Sequence, residues 1–372
     1  MIYLDSAATS LIKPCGVEHA VVNAIRTMAS PGRGGHRPSL TAAETVYTCR
    51  EAAAELFRLD DSTRVVFTMN ATHALNIAIK ALARRNMRVV ISGFEHNSVT
   101  RPLHAVGADI AVAGRRLFSP GDTLADFEDK IKGAGLVVCT HVSNVFGYVL
   151  PVYELGALCR RYGVPYIVDA SQSAGILDVD FSRLGACFVA MPGHKALFGP
   201  QGTGLLLCGM DAPPIIQGGS GSDSLLQTMP DYLPDALEAG THNVCGIAGL
   251  LAGLNYIRAR GRESIRAHED MLLSRFCAGL GGVDGLEIFS GAAGTQCGVL
   301  SVRARALDSE SFAAALAQRD ICVRAGLHCA PLAHESAHTL DTGTARLSFS
   351  PFITENQADM AIREIKQIIK GD

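Results

Sequence analysis

The sequence predicts an α/β protein in which a large domain, a mostly parallel mixed sheet between helices, is joined to a smaller α+β domain. Three observations carry this. Apolar runs at 65–68, 89–92, 110–113, 136–140, 166–168, 187–191 and 205–208 are mostly separated by helical stretches, as expected of strands buried on both faces of a helix-covered sheet. Beyond Gly285 the pattern changes to strands near 286–289, 299–302, 321–324 and 345–349 around a helix at 309–317. Finally, 372 residues exceed one ordinary core. We expect the large domain at 16–250 and the small one at 1–15 and 251–372.

In chain order, Tyr3-Leu4-Asp5-Ser6-Ala7-Ala8-Thr9 reads as a short strand and turn before a helix from about 14 to 28. The segment 30–38, rich in Gly and Pro, reads as a loop. Its His36 is either a turn residue or a pocket residue. A helix over 40–57 follows, with an apolar stripe of Ala43, Val46, Tyr47, Ala53 and Ala54. Helices at 244–259 and 263–280 bridge to the smaller part, and the last helix opens on the capping box Thr354-x-x-Gln357.

In a parallel sheet ligands gather at the carboxyl ends of the strands, and the suspect residues fall there. Asn70-Ala71-Thr72-His73-Ala74 opens a helix, where free N–H groups and the Thr72 hydroxyl suit a phosphate; a plain N-cap is the alternative. His96 follows another strand and either lies on a ligand ring or caps a helix. Asn144 can offer an amide to a ligand or stabilise its own loop. Asp169 ends a central strand, where a carboxylate must find a cation or donors.

Met191-Pro192-Gly193-His194-Lys195 leads into a glycine-rich turn. A lysine held at a strand end against apolar surroundings loses part of its ammonium stabilisation, so Lys195 is a candidate nucleophile for a carbonyl cofactor, with a surface lysine in a β-turn as the plain alternative.

A net charge of −3 disfavours nucleic acid or an anionic membrane as partner. No apolar run is long enough to span a bilayer and the start has no basic, then apolar, leader, so a cytoplasmic protein is expected. The eleven cysteines are scattered, with no C-x-x-C, and several, such as Cys139, Cys187 and Cys208, lie in apolar runs, where reduced, buried thiols are expected. Cys329 stands apart in a Gly- and His-rich setting. The Gly- and Ser-rich stretch 218–224 reads as a flexible loop and contains neither a phosphate-loop nor a nucleophile-elbow pattern. His334-Glu335-Ser336-Ala337-His338 fits H-E-x-x-H, but Pro331 and Gly343 crowd it, so we read a loop and expect no metal.

Together the His-Lys pair in its glycine-flanked turn, the upstream Asp169, the turn at Ala71-Thr72 and the late Cys329 resemble the cysteine desulfurases and selenocysteine lyases. These are pyridoxal-phosphate enzymes of the class V aminotransferase superfamily, with the fold type I transferase architecture. The resemblance runs from Tyr3 to the last helix. Arg324-Ala325-Gly326-Leu327-His328-Cys329-Ala330 looks like the form with a short, ordered cysteine segment.

The resemblance implies that Lys195 holds pyridoxal 5′-phosphate and moves the substrate Cα proton, with Asp169 on the pyridine nitrogen, Gln172 on the ring hydroxyl oxygen and His96 on the ring face. Ala71, Thr72 and His194 would hold the phosphate, and Thr241 would reach that of a partner subunit, giving a homodimer with shared active sites. Asn144 and Arg346 would grip the substrate carboxylate, with His36 and Arg324 lining the pocket. Cys329 would attack the sulfur of L-cysteine, leaving a persulfide and alanine, after ionisation favoured by His328, Arg324 or the substrate. L-Selenocysteine lysis is the alternative, as is an aminotransferase or epimerase without sulfur transfer; a sulfur-acceptor protein is a further possible partner. One position departs from the family's usual pattern: Pro192 stands where a phosphate-binding serine is expected.

Overall fold

The computed structural model describes residues 1–32 and 34–371; Arg33, inside the expected 30–38 loop, and Asp372 lie outside it. The chain opens with β1 (Ile2–Tyr3), α1 (Cys15–Thr27) and α2 (Arg37–Phe57). Strand and helix then alternate through β2 (Val65–Thr68), α3 (Ala71–Leu82), β3 (Arg88–Ser92), α4 (Asn97–Val106), β4 (Asp109–Ala113), α5 (Pro120–Lys130) and β5 (Leu136–Thr140). The series ends with α6 (Val152–Tyr162), β6 (Tyr166–Asp169), α7 (Phe181–Leu184), β7 (Phe188–Pro192) and β8 (Gly204–Cys208).

These strands form a seven-stranded sheet in the order β2-β8-β7-β6-β5-β3-β4. All neighbours from β7 across to β4 run parallel, while β8 is antiparallel to both β7 and β2. The reversal has a local cause: the chain turns straight back after β7, pairing Pro192 with Gly204, and no helix intervenes to return it to the starting edge. Successive residues feed opposite faces. Val189 and Met191 join the core under α2, α5, α6 and the helix after residue 243, whereas Phe188 and Ala190 join the core under α3 and α4.

The remaining elements are α8 (Val244–Arg260), α9 (Arg262–Leu280), β9 (Leu286–Phe289), β10 (Val299–Ala304), α10 (Ser309–Ala317), β11 (Ile321–Cys322), β12 (Arg324–Gly326), α11 (Pro331–Ser336), β13 (Thr344–Ser348) and α12 (Glu355–Lys370). Four of the strands make an antiparallel sheet, β12-β13-β10-β9, and β1 pairs in parallel with β11. A second core gathers Ile2 and Leu4 with side chains from Leu272 onward. α8 passes residue 250 unbroken and its Leu254 and Ile257 stay with the first core, so the change of core falls within α9, between Ile265 and Leu272.

Four local expectations are corrected. α2 begins at Arg37, because His36 accepts from Ser39 N and caps it, with Pro38 tolerated in its first turn. Tyr47 is 62 % exposed; the buried stripe runs through Ala42, Val46, Cys49, Ala53 and Phe57. The H-E-x-x-H stretch is no loop at its start: Pro331 opens the six-residue α11, in which His334 turns inward to Thr339 Oγ1 at 2.8 Å. Cys187 is only half-buried. The last helix carries its capping box as expected, with Gln357 N on Thr354 Oγ1 at 3.2 Å.

Candidate active site

A cavity of about 220 Å³ lies where the carboxyl ends of β5, β6 and β7 meet the first turns of α3 and α4, roofed by residues of β12, β13 and the turn between them. Its wall brings together every expected site residue except His36 and Thr241: Ala71, Thr72, His96, Asn144, Asp169, Gln172, His194, Lys195, Arg324, Cys329 and Arg346. A larger open cleft of about 850 Å³ between β10 and α10 holds none of them.

The α3 end is built as an anion seat. Asn70, in extended backbone, caps the helix by accepting from His73 N at 2.9 Å, and Ala74 N reaches Asn70 O at 3.2 Å. Among the described residues no acceptor serves the N–H groups of Ala71 and Thr72, which remain for a ligand. Close packing from β8 supports the turn, since a Cβ on Gly204 would lie 2.8 Å from the backbone carbon of Asn70. The Thr72 hydroxyl is 2.8 Å from Ser98 Oγ, which is in turn 2.9 Å from His96 Nδ1.

His96 both caps α4 and lines the cavity. Its Nδ1 accepts from Ser98 N at 3.0 Å, which places the ring proton on Nε2. Burial, aided by the charge of Lys195, pushes its pKa down to about 4, so the ring is neutral at pH 7. His194, 3.1 Å from Thr9 Oγ1, is likewise lowered to about 4 by burial.

Asp169 is 3 % exposed and spends Oδ1 on Ser171 N at 2.9 Å. Among the described residues Oδ2 takes no hydrogen bond and is free for a ligand's N–H. Burial lowers the Lys195 amine to about pKa 8 against the opposing pull of Asp169, so a sizeable neutral fraction exists near neutrality. Beneath them Glu95, which the sequence reading passed over, is fully buried and accepts from Thr140 N at 2.7 Å. Burial raises it to about 8, leaving it a neutral acid at pH 7.

The N-terminal segment, expected only as a strand and turn, laces this site together. Gln172 Nε2 donates to Ala7 O at 3.0 Å, and Ser10 N donates to His194 O at 3.0 Å. Asp5 pairs with Arg346 Nη2 at 2.9 Å and with Arg324 Nε at 3.2 Å. Arg346 Nη1 donates to Asn144 O at 3.0 Å, so its two terminal nitrogens already have acceptors. The signal for Asp5 was a carboxylate beside a predicted strand, with no hint of the arginines more than 300 positions away.

Cys329 sits in a turn closed by Ala330 N on Leu327 O at 2.9 Å, with His328 and Cys329 at φ 50° and 57°. Two successive positive φ values mark a type I′ turn, a left-handed conformation that costs non-glycine residues ~1–2 kcal/mol each. The thiol residue is exposed. His328 is buried, donates or accepts at Thr344 Oγ1 and lies 3.1 Å from Thr344 O; burial holds it down to about pKa 2. It is therefore neutral and supplies no cation to the thiol, which corrects one of the three expected sources of ionisation.

His36 is an exposed helix cap outside the cavity, against expectation. Thr241 is also outside, on a separate cavity of about 160 Å³ shared with His73 and Gly202. Its segment is anchored by Glu238, which the sequence reading missed: both Arg50 terminal nitrogens reach it at 2.8 Å, Phe67 N at 2.6 Å and His242 Nε2 at 2.6 Å. No group of three or more His, Cys, Asp or Glu able to hold a metal occurs among the described residues. No helix among them is long and apolar enough to cross a membrane.

An amine of depressed pKa, a strand-end carboxylate with one free oxygen and a helix start with free N–H groups fit pyridoxal phosphate, a ring with an aldehyde, a basic nitrogen and a phosphate. Pro192 at the cavity wall offers neither hydroxyl nor N–H, so the phosphate seat relies on the other groups. Fold and site together define a pyridoxal-phosphate enzyme of the type I architecture, and the chain belongs to the aminotransferase class-V family, whose pattern matches residues 2–360. It is 33 % identical to a probable cysteine desulfurase of Pyrococcus abyssi, covering 100 % of this chain and 95 % of that one. A probable cysteine desulfurase of Methanothermobacter thermautotrophicus is 32 % identical over 99 % of this chain and 94 % of its own. The solved apo structure of a cysteine desulfurase from Thermococcus onnurineus superposes with a TM-score of 0.91 at 31 % identity, covering 100 % of this chain and 95 % of that one.

Proposed function

We propose that the protein is a cysteine desulfurase that converts L-cysteine to L-alanine and takes the sulfur onto Cys329 as a persulfide. The observation that carries this reading is that the exposed Cys329 turn and the pair made of the half-buried Lys195 and the buried Asp169 wall a single cavity. An aminotransferase needs the second pair and has no use for the first.

Pyridoxal phosphate, when bound, accepts the electron pair released at the substrate Cα. Lys195, Asp169 and the N–H groups of Ala71 and Thr72 would hold it, with His194 and Gln172 beside them and His96 over the ring. The chain's own residues do the rest. Arg346 and Asn144 orient the substrate carboxylate; the neutral Lys195 amine takes the Cα proton and returns a proton to carbon. The Cys329 thiolate attacks the substrate sulfur: an S–S bond forms, the C–S bond breaks, and the carbon keeps the pair and becomes the methyl of alanine. Arg324, beside the turn on β12, is the chain's cation for that thiolate. Thr241, exposed and outside its own chain's cavity, is assigned to the phosphate seat of a second copy in a homodimer. The apolar Leu225, 96 % exposed, lies on the loop before it and suits burial by that copy.

The test supplies L-cysteine or L-selenocysteine to wild type and Cys329→Ala and measures alanine, with mass spectrometry of the Cys329 peptide. We expect one added sulfur on that peptide in wild type and loss of alanine release from cysteine in the variant, with the bound-cofactor absorbance intact. Undiminished turnover of cysteine by Cys329→Ala would dismiss the persulfide.

A further inference from the structure

The small sheet places two arginines face to face: Arg324 of β12 is the direct cross-strand partner of Arg346 of β13. Like charges in that position repel, and Arg346 is only 2 % exposed, so water does little to mask the repulsion. Asp5 lies over the pair, with Oδ1 on Arg346 Nη2 at 2.9 Å and Oδ2 on Arg324 Nε at 3.2 Å.

Asp5 is fixed there by its backbone. Leu4 N donates to Cys322 O at 2.8 Å, Ser348 N donates to Leu4 O at 2.8 Å, and Asp5 forms a parallel bridge with Ser348, two residues from Arg346. One carboxylate with an oxygen on each of two guanidiniums is also how an amino-acid substrate's carboxylate would seat itself. Among the described residues the buried Arg346 Nε, meanwhile, has no partner. The guanidinium thus has a donor to spare but a fork already claimed.

Resting on the reading that Arg346 receives the substrate carboxylate, we propose that Asp5 is a specificity-setting residue. It is a resident carboxylate that occupies the arginine pair in the empty site, competes with the substrate's carboxylate and so weakens amino-acid binding. The empty pair carries one net positive charge instead of two. It therefore accepts a single carboxylate without holding anions indiscriminately, and it lets alanine leave.

The experiment titrates the full-length, pyridoxal-phosphate-loaded protein with propionate, a carboxylate without an amine, by calorimetry in low-chloride buffer. Asp5→Asn keeps the shape and one acceptor but removes the charge, so propionate should bind about tenfold more tightly, and the KM for L-cysteine should fall with a smaller change in kcat. Unchanged or weaker propionate binding in Asp5→Asn overturns the proposal. Arg346→Lys separates the two layers. If it loses propionate binding while Asp5→Asn does nothing, only the role of Asp5 fails; if binding ignores both, the carboxylate reading of Arg346 fails and takes the proposal with it. Should Asp5→Asn not fold, Arg324→Gln decides: it leaves Asp5 wholly to Arg346, so weaker propionate binding is expected and unchanged or tighter binding overturns the idea.

Discussion

Lys195 and Cys329 line one cavity but are held in opposite ways. Lys195 follows β7, in which all five residues are buried, and its amine is desolvated enough to fall to about pKa 8. Cys329 is exposed, at positive φ, on a turn between short elements. The difference suits the two kinds of work that the proposed function assigns to them. Proton movement at carbon needs an amine whose basicity is set by a dry, rigid wall, whereas a sulfur that must be passed on has to be reachable from outside.

The comparison breaks most sharply at the lysine. Lys195→Ala should lower alanine release by roughly 10⁴-fold and leave no borohydride-reducible bond to the cofactor; a retained adduct would show that another amine carries it. The next effect is on pH. Because the folded pKa is lowered and the neutral amine is the nucleophile, apo-protein should capture the pyridoxal aldehyde at a rate that rises with pH and levels off above about 8. An ordinary lysine would keep gaining to about 10.4. A borohydride-trapped time course at several pH values gives the curve, and a rise continuing past pH 9 would mean that the amine is not desolvated. The smallest effect sharpens the other side. Relative to Cys329→Ala, Cys329→Gly relieves the left-handed strain, partly offset by its freer unfolded chain, and should be more stable by roughly 0.5–1 kcal/mol in urea unfolding. Equal stability would deny that the turn is strained.

The same contrast divides what the sequence revealed. The strands of the large sheet were legible to within a residue or two, because buried parallel strands are continuous apolar runs; so were the residues that follow them, Asp169, Asn144, His96 and Lys195. The direction of β8 was not, since an apolar run encodes burial and not polarity of the chain. The partners that set charge were also hidden. Asp5, Glu95 and the Arg50–Glu238 pair act through contacts between distant parts of the chain, and single positions carry no trace of them. His36 and Tyr47 misled for a local reason: a histidine before Arg-Pro caps a helix as readily as it fills a pocket, and a helical stripe rotated by one residue turns an aromatic ring to the surface.

The cysteine turn is also tethered from the opposite side of the cavity. Asn144 Nδ2 donates to His328 O and Asn97 N donates to Cys329 O, each at 2.8 Å, so the loop after β5 and the start of α4 grip both carbonyls of the turn. On the proposed function, a sulfur atom loaded there would have no arm on which to travel. Delivery would then become a matter of fit at the cavity mouth, and whatever collected the atom would have to bring its own thiol in to meet it.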